Sequence, residues 1–187
     1  PEGAEEGIRK GLYLFREGGD GAKKVQLMAC GAILREAIAA ANILEQDFGV
    51  QADVWSATSF TELRREGLEI DRWNRLHPLA DKKVSYVEQC LKGRRGPVIA
   101  ATDYMRAYAE QIRPHLGDRR YVTLGTDGYG RSDMRSQLRK FFEVNRYYVV
   151  VAALKALADD GEIEQSVVSQ AIKAYKIDPD KPNPATV

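Results

Sequence analysis

The chain has 187 residues, of which 44% are hydrophobic and 29% are charged, the composition of an ordinary globular domain. Its 28 Lys and Arg residues nearly balance 27 Asp and Glu residues, so the net charge of +1 gives no reason to expect nucleic acid or an anionic membrane as partner. No apolar run reaches membrane-spanning length and no secretory leader is recognisable, so we expect a cytoplasmic protein. The length predicts one domain over residues 1–187.

The first third of the chain alternates between β-prone runs and a helical pattern. Strands are predicted over 11–16, 24–29 and 51–57, each bounded by glycine or by another turn residue. Between the second and third strands, apolar residues recur at helical spacing over 32–48, which predicts a helix with one buried face. Gly49 is expected to end that helix.

The middle third predicts short helices around one further strand. Thr61 is expected to cap the first of these helices and Asp103 the last, because Thr and Asp accept hydrogen bonds from free N–H groups at a helix start. The predicted segments are helices over 61–65, 70–76 and 84–92, a strand over 97–101, and a helix over 104–112.

The last third begins with a fifth strand over 121–124 and a helix that starts at Ser132. Asn145 is predicted to cap a helix over 146–159, and a further helix follows over 164–176. The remaining tail contains spaced prolines and is expected to pack little.

Short strands alternating with helices predict an α/β fold, a three-layer α/β/α domain with a five-stranded mixed, mostly parallel sheet. The glycine-rich connection after the first strand fits a first strand that runs antiparallel to the rest. Cys30 and Cys90 form no CxxC pair, so buried thiols are favoured over metal or redox chemistry.

The most informative segment is Gly-Thr-Asp-Gly-Tyr-Gly-Arg-Ser-Asp at 125–133, which follows the fifth strand directly. A strand, a glycine loop and a helix start can together hold an anion. The GxGxxG fingerprint fails, however, because Asp133 stands at the position of its last glycine, where the carboxylate would repel a pyrophosphate. The simpler interpretation is that the glycines allow a sharp turn while Asp127 and Ser132 satisfy local N–H groups. A third is that the loop contacts a neighbouring domain and shapes a shared cavity.

Other strands should end at the same edge of the sheet, because parallel strands share their carboxyl edge. The resulting candidate set for an interdomain or anion-contacting site is Ser56, Thr58, Thr102, Asp103, Asp127, Gly128, Tyr129, Gly130, Arg131 and Ser132. A Ser56–His77–Asp103 triad could be composed, but no GxSxG elbow accompanies it, and helix capping explains the hydroxyl groups more simply.

Arg131, Arg135 and Arg139 are four residues apart and should lie on one helix face, here called the arginine face. It is either a solvated or ion-paired surface or an anion-attracting one. His77 and His115 are isolated from each other and from clustered carboxylates, so no metal site is predicted. We assign no catalytic or cofactor-binding residue in this chain.

Four motifs in order carry a family resemblance, namely Trp-Ser-Ala-Thr-Ser-Phe-Thr-Glu-Leu at 55–63, Arg-Trp-Asn-Arg-Leu-His-Pro at 72–78, Ala-Thr-Asp-Tyr-Met at 101–105, and the glycine loop. Together they resemble the C-terminal domain of bacterial homodimeric pyruvate dehydrogenases, a domain of the transketolase C-terminal type. The resemblance runs from about Gly3 to 178–181. It implies a piece of a longer polypeptide, with 1–10 as the lead-in from a preceding domain and 178–187 as a tail.

In that family, thiamine diphosphate and magnesium bind between the two preceding domains across the dimer interface, so neither is expected in this chain alone. The resemblance implies oxidative decarboxylation of pyruvate and reductive acetylation of lipoamide. The implied partners are the preceding domains, a second copy of the polypeptide and the dihydrolipoamide acetyltransferase component. The isolated chain is expected to be inactive. The alternatives are a regulatory phosphate- or anion-binding module and a subunit-docking module that uses the arginine face.

Overall fold

A computed structural model, which describes residues 2–187, contains a five-stranded mixed sheet with the strand order β1-β3-β2-β4-β5. β1 pairs antiparallel with β3, and the other neighbouring strands pair in parallel. The predicted direction of the first strand is therefore confirmed. The strands are β1 (Leu12–Arg16), β2 (Lys24–Ala29), β3 (Gln51–Ala57), β4 (Val98–Ala101) and β5 (Tyr121–Leu124).

Helices cover both faces of the sheet, as the three-layer prediction requires. They are α1 (Glu5–Lys10), α2 (Leu34–Phe48), α3 (Phe60–Leu76), α4 (Tyr86–Leu91), α5 (Arg106–Glu110), α6 (Arg135–Phe141), α7 (Arg146–Asp159) and α8 (Gln165–Ala174). Alternate residues of each strand point to opposite faces. Val25 and Leu27 of β2 therefore pack in the cluster formed with α2, α7 and α8, whereas Met28 packs in the cluster formed with α3, α4 and α5. None of the helices within residues 2–187 has the length and apolar character needed to cross a bilayer.

Two helix ends follow the sequence signals. Gly49 has a φ of +62° and ends α2, with its N–H donating to the carbonyl of Glu45. Asn145 caps α7 by accepting hydrogen bonds from the N–H groups of Tyr147 and Tyr148, at 3.1 and 3.2 Å. Both predictions are confirmed.

The two helices predicted over 61–65 and 70–76 are one continuous helix, α3, and Ser59 rather than Thr61 caps it. The Oγ atom of Ser59 accepts a hydrogen bond from the N–H of Glu62 at 3.1 Å. Gly67 lies inside this helix because the ring of His115 packs against its backbone. A Cβ atom built on Gly67 would lie 2.5 Å from that ring.

Replacing Ser59 with alanine is expected to lower the free energy of unfolding by about 1 kcal/mol, the usual cost of losing an N-cap hydroxyl. Thr61→Ala is the matched control, since Thr61 follows the cap and should matter less. Urea unfolding of both variants measures the difference. A larger loss for Thr61→Ala would show that the cap is assigned to the wrong residue.

The predicted starts of α5 and α6 are also wrong. Asp103 does not cap α5, whose first N–H, on Arg106, is bound instead by Oδ1 of Asp127 at 3.1 Å. α6 begins at Arg135 without a side-chain cap, so Ser132 does not start it. A helix start can be satisfied from a distant loop, and in α5 the acceptor is 21 residues away in the chain.

The C-terminal tail packs onto the domain, contrary to prediction; residues 178–187 are called the C-terminal strap below. Pro184 is buried and begins a short 3-10 helix. Gly128 has a φ of +105°, and a Cβ atom built there would lie 2.2 Å from the carbonyl oxygen of Pro184. Lys181 forms an ion pair with Glu143 at 3.1 Å. The strap and the glycine loop therefore lie in direct backbone contact.

The two outer strands of the sheet are irregular or covered. The pairing of β1 with β3 shifts its register between Leu14 and Arg16. At the opposite side of the sheet, Arg113 donates a hydrogen bond to the carbonyl of Tyr121 in β5 at 3.0 Å.

A buried carboxylate lies near the amino end of the sheet. Asp53 of β3 has no exposed side-chain surface, yet it accepts hydrogen bonds from Gln26 and Arg94, both at 3.0 Å, and from the N–H of Gly18 at 2.9 Å. Lys24 lies 3.1 Å away. Burial alone would raise the pKa of Asp53, but these partners outweigh it and leave the pKa below its ordinary value. The carboxylate is therefore charged and fully bonded.

Candidate functional site

The loops that follow β2, β4 and β5 meet at the carboxyl edge of the sheet, where they border an open cavity of about 480 Å³, called the edge cavity below. Four members of the predicted set line it: Asp103, Gly128, Gly130 and Arg131. Helix α6 closes one side. The structure therefore brings part of the predicted set together at one place.

The other members of the predicted set have different surroundings. Ser56 is buried within β3, and the Oγ1 atom of Thr58 donates to the carbonyl of Ile8 at 2.8 Å. Thr102 is buried and accepts a hydrogen bond from the N–H of Tyr104 at 3.1 Å. Tyr129 and Ser132 are exposed.

The simpler interpretation predicted that Asp127 satisfies an N–H group of its own loop, and the structure shows a different partner. Its carboxylate binds both the N–H and the guanidinium of Arg106, which joins the glycine loop to the start of α5. Gly125 permits this approach, since a Cβ atom there would lie 2.7 Å from the backbone nitrogen of Arg106. The loop is fixed by contacts on two sides, α5 and the C-terminal strap.

All three residues of the arginine face line the edge cavity, although Arg131 precedes α6 and is not in the helix. Arg139 forms an ion pair with Glu36 of α2 at 3.0 Å. The guanidinium carbon of Arg131 lies 4.8 Å from the centre of the Phe141 ring, within cation–π range. Arg135 is exposed.

Glu36 is the buried anion that holds α6 and α7 against α2. It accepts hydrogen bonds from Arg139 and from both the N–H and the Nε of Arg146, at 3.0 and 2.9 Å for the latter two. Burial favours the neutral acid, but the bonds and charges of the two arginines outweigh it and lower the pKa of Glu36. Sequence reasoning missed this residue, because an acidic position in a helix resembles a solvated one.

A second hollow, of about 310 Å³, lies at the same edge and contains Cys30, Thr58, Ser59, Tyr104 and Tyr108. Cys30 and Cys90 are free and half-buried. Burial, together with the charge of Asp103, raises the pKa of the Cys30 thiol, and burial raises that of Cys90. The thiolate is the reactive form of cysteine, and these surroundings disfavour it at both positions.

The Ser56–His77–Asp103 triad is not assembled. α3 starts beside the carboxyl edge and has 17 residues, so His77 lies at its far end, about 25 Å away at 1.5 Å per residue. His77 stacks on Trp73, with ring centres 4.4 Å apart. Within residues 2–187, no three His, Cys, Asp or Glu side chains come together as metal ligands.

The sequence pattern of the transketolase-like TK C-terminal domain family matches residues 11–145. The pyruvate dehydrogenase E1 component of Pseudomonas aeruginosa is 61% identical over 185 residues, covering 98% of this chain and 21% of that protein. The E1 component of Cupriavidus necator is 57% identical over 189 residues, covering 100% and 21%. That of Escherichia coli (strain K12) is 53% identical over 186 residues, covering 98% and 20%. The chain spans about a fifth of these relatives' length.

Solved structures show the same fold at low sequence identity. Transketolase from Leishmania mexicana superimposes with a TM-score of 0.54 at 17% identity, covering 85% of this chain and 20% of that chain. Transketolase from Campylobacter jejuni gives a TM-score of 0.52 at 22% identity, covering 79% and 19%. The α/β fold class predicted from the sequence is confirmed.

Proposed function

This chain belongs to the transketolase-like C-terminal domain family, and from that membership we propose that it forms the C-terminal domain of a pyruvate dehydrogenase E1 component. Its homology to the C-terminal region of E1 components, at 53–61% identity over nearly the whole chain, is the observation that carries the proposal. The whole enzyme would decarboxylate pyruvate oxidatively and acetylate lipoamide reductively, using thiamine diphosphate and magnesium.

The role we propose for this chain within that enzyme is architectural. We place the diphosphate–magnesium site in the preceding domains, and the described residues 2–187 support this in that no three of their His, Cys, Asp or Glu side chains form a metal-binding group. Thr58 and Thr102 at the carboxyl edge already bond to backbone groups. Chemistry would therefore depend on the preceding domains, while this chain supports dimerisation and the shape of the active site.

The carboxyl edge offers a surface on which neighbouring domains can pack. Tyr104 and Met105 are 60% and 52% exposed, and Tyr129 and Met134 are 83% and 77% exposed. Tyrosine and methionine are enriched in protein interfaces. In the proposed enzyme this edge meets the preceding domains of the same polypeptide or the second copy, and the dihydrolipoamide acetyltransferase component binds the assembled dimer.

A domain exchange tests the proposal. The matching region of the Pseudomonas aeruginosa E1 component is replaced by this chain, and pyruvate decarboxylation and dimer formation are measured beside the parent and beside a version that lacks the region. We expect the exchanged enzyme to be dimeric, with activity of the same order as the parent, and the shortened version to be inactive.

The chain alone is the matched control. It should neither consume pyruvate nor bind thiamine diphosphate with magnesium in a calorimetric titration, because the catalytic groups lie elsewhere. An exchanged enzyme that folds as a dimer but is inactive would contradict the proposed identity of the chain. Turnover of pyruvate by the chain alone would contradict the proposed architectural role.

A further inference from the structure

The edge cavity contains more positive charge than the surrounding residues neutralise. Of its three arginines, only Arg139 forms an ion pair, with Glu36; within residues 2–187, no carboxylate oxygen lies within 4.0 Å of a guanidinium nitrogen of Arg131 or Arg135. Guanidinium groups bind phosphate and carboxylate through paired N–H donors. Two such groups beside one cavity are therefore suited to an anionic headgroup.

Other parts of the cavity wall are apolar. Ile33, Leu138 and Phe142 line it, and its volume of about 480 Å³ lies within the range of small-molecule sites, roughly 300–1,000 Å³. Inorganic phosphate alone would leave this wall without contacts. The shape and composition favour a ligand that adds an apolar ring or short chain to its headgroup.

Asp103 restricts the ligand further, because this acidic residue lines the same cavity. A second acidic group on the ligand would be repelled there, whereas a hydroxyl or amino group could donate a hydrogen bond. The wall that carries Arg131 is held in place before binding, since Gly128 packs against the C-terminal strap and Asp127 binds Arg106. A wall fixed in advance reduces the entropy lost on binding.

We propose that the edge cavity is a binding site for an organic anion with one phosphate or carboxylate headgroup and an apolar ring or short chain. The headgroup binds Arg131 and Arg135, and the apolar part packs on Leu138 and Phe142. The cavity lies at the same carboxyl edge as the proposed interdomain surface, so it is tested on the chain without its neighbouring domains; binding to it requires no turnover of pyruvate.

Calorimetric titration of the 187-residue chain with phenyl phosphate, benzoate, inorganic phosphate and benzyl alcohol tests the site. Phenyl phosphate or benzoate should bind saturably, and which of them binds more tightly identifies the headgroup. Inorganic phosphate should bind about tenfold more weakly, since about 1.4 kcal/mol of apolar contact is lost. Benzyl alcohol should not bind, because it lacks the charge.

Arg131→Gln and Arg135→Gln are each expected to weaken binding by about tenfold or more, as is usual for a lost hydrogen bond to a charged group. Arg64→Gln is the matched control, because Arg64 is an exposed arginine on α3 outside the cavity. Unchanged thermal unfolding midpoints show that the variants fold. Absence of saturable binding by both phenyl phosphate and benzoate, or equal weakening by Arg64→Gln, would overturn the proposal.

Discussion

Asp53→Asn is expected to lower the free energy of unfolding by about 3–5 kcal/mol, the cost of breaking a buried ion pair from one side. The side chain of Asp53 has no exposed surface and balances Arg94 and Lys24, whose side chains are 23% and 12% exposed. Asparagine would remove the carboxylate that pairs with Lys24 and leave Arg94 paired with Glu17, at 3.0 Å. Gly18 and Gln26 donate to different oxygens of the carboxylate, so the NH2 group of asparagine would point its donors at the donor of one or the other.

Urea unfolding measures this loss, with Asp160→Asn as the matched control. Asp160 also pairs with an arginine, Arg120, at 2.7 Å, but the pair lies at the surface and its loss should matter far less. A similar effect of the two substitutions would show that the buried carboxylate does not stabilise the fold.

The original chain and the Asp53→Asn variant should also differ in how their stability changes in acid. Because the pKa of Asp53 in the folded chain is below its ordinary value, the carboxylate stabilises the fold fully above the unfolded pKa of about 3.9. That contribution is lost as the pH falls through the folded pKa. The stability difference between the original chain and Asp53→Asn should therefore be constant at neutral pH and shrink in acid.

Glu36→Gln is expected to cost about 2–4 kcal/mol, somewhat less than Asp53→Asn, because its partners Arg139 and Arg146 are partly exposed and water can replace some of the lost charge. The carboxylate accepts hydrogen bonds from both α6 and α7, in addition to the apolar packing between α2 and α7. Amide hydrogen exchange should show faster opening of α6 in the variant. Glu45→Gln, an exposed position on the same helix, is the control and should leave both stability and exchange unchanged.

The strands could be predicted from sequence because each is a short β-prone run bounded by turn residues. The bounds of β2, β3 and β5 are as predicted, and β1 and β4 each begin one residue later. β2, β3 and β4 are buried along nearly their whole length, and strands buried on both faces are recognisable from the sequence as mainly apolar runs.

The start of α5 and the interior of α3 could not be predicted, because their causes lie in distant parts of the chain. Gly67 normally weakens a helix, which favoured a break in α3, but here it makes room for His115, 48 positions away. The first N–H of α5 is satisfied by Asp127, so the local acceptor Asp103 was not needed.

The candidate site was predicted in part. The four-residue spacing holds for Arg135 and Arg139, which lie on α6, whereas Arg131 precedes the helix and reaches the same cavity from the glycine loop. The partners of these cations were not predictable, as Glu36 lies 103 positions before Arg139. The contact of the strap with Gly128 was also hidden, because its only sequence signal is a missing side chain.

The register shift in β1 affects how copies of this protein behave when crowded. A straight outer strand exposes a regular row of backbone donors and acceptors that another chain can extend by strand addition. The extra residue between Leu14 and Arg16 interrupts that row and twists the strand locally. Self-association into continuous β-structure is thereby disfavoured at the margin of the sheet, and the charged Arg16 at the end of β1 acts in the same direction.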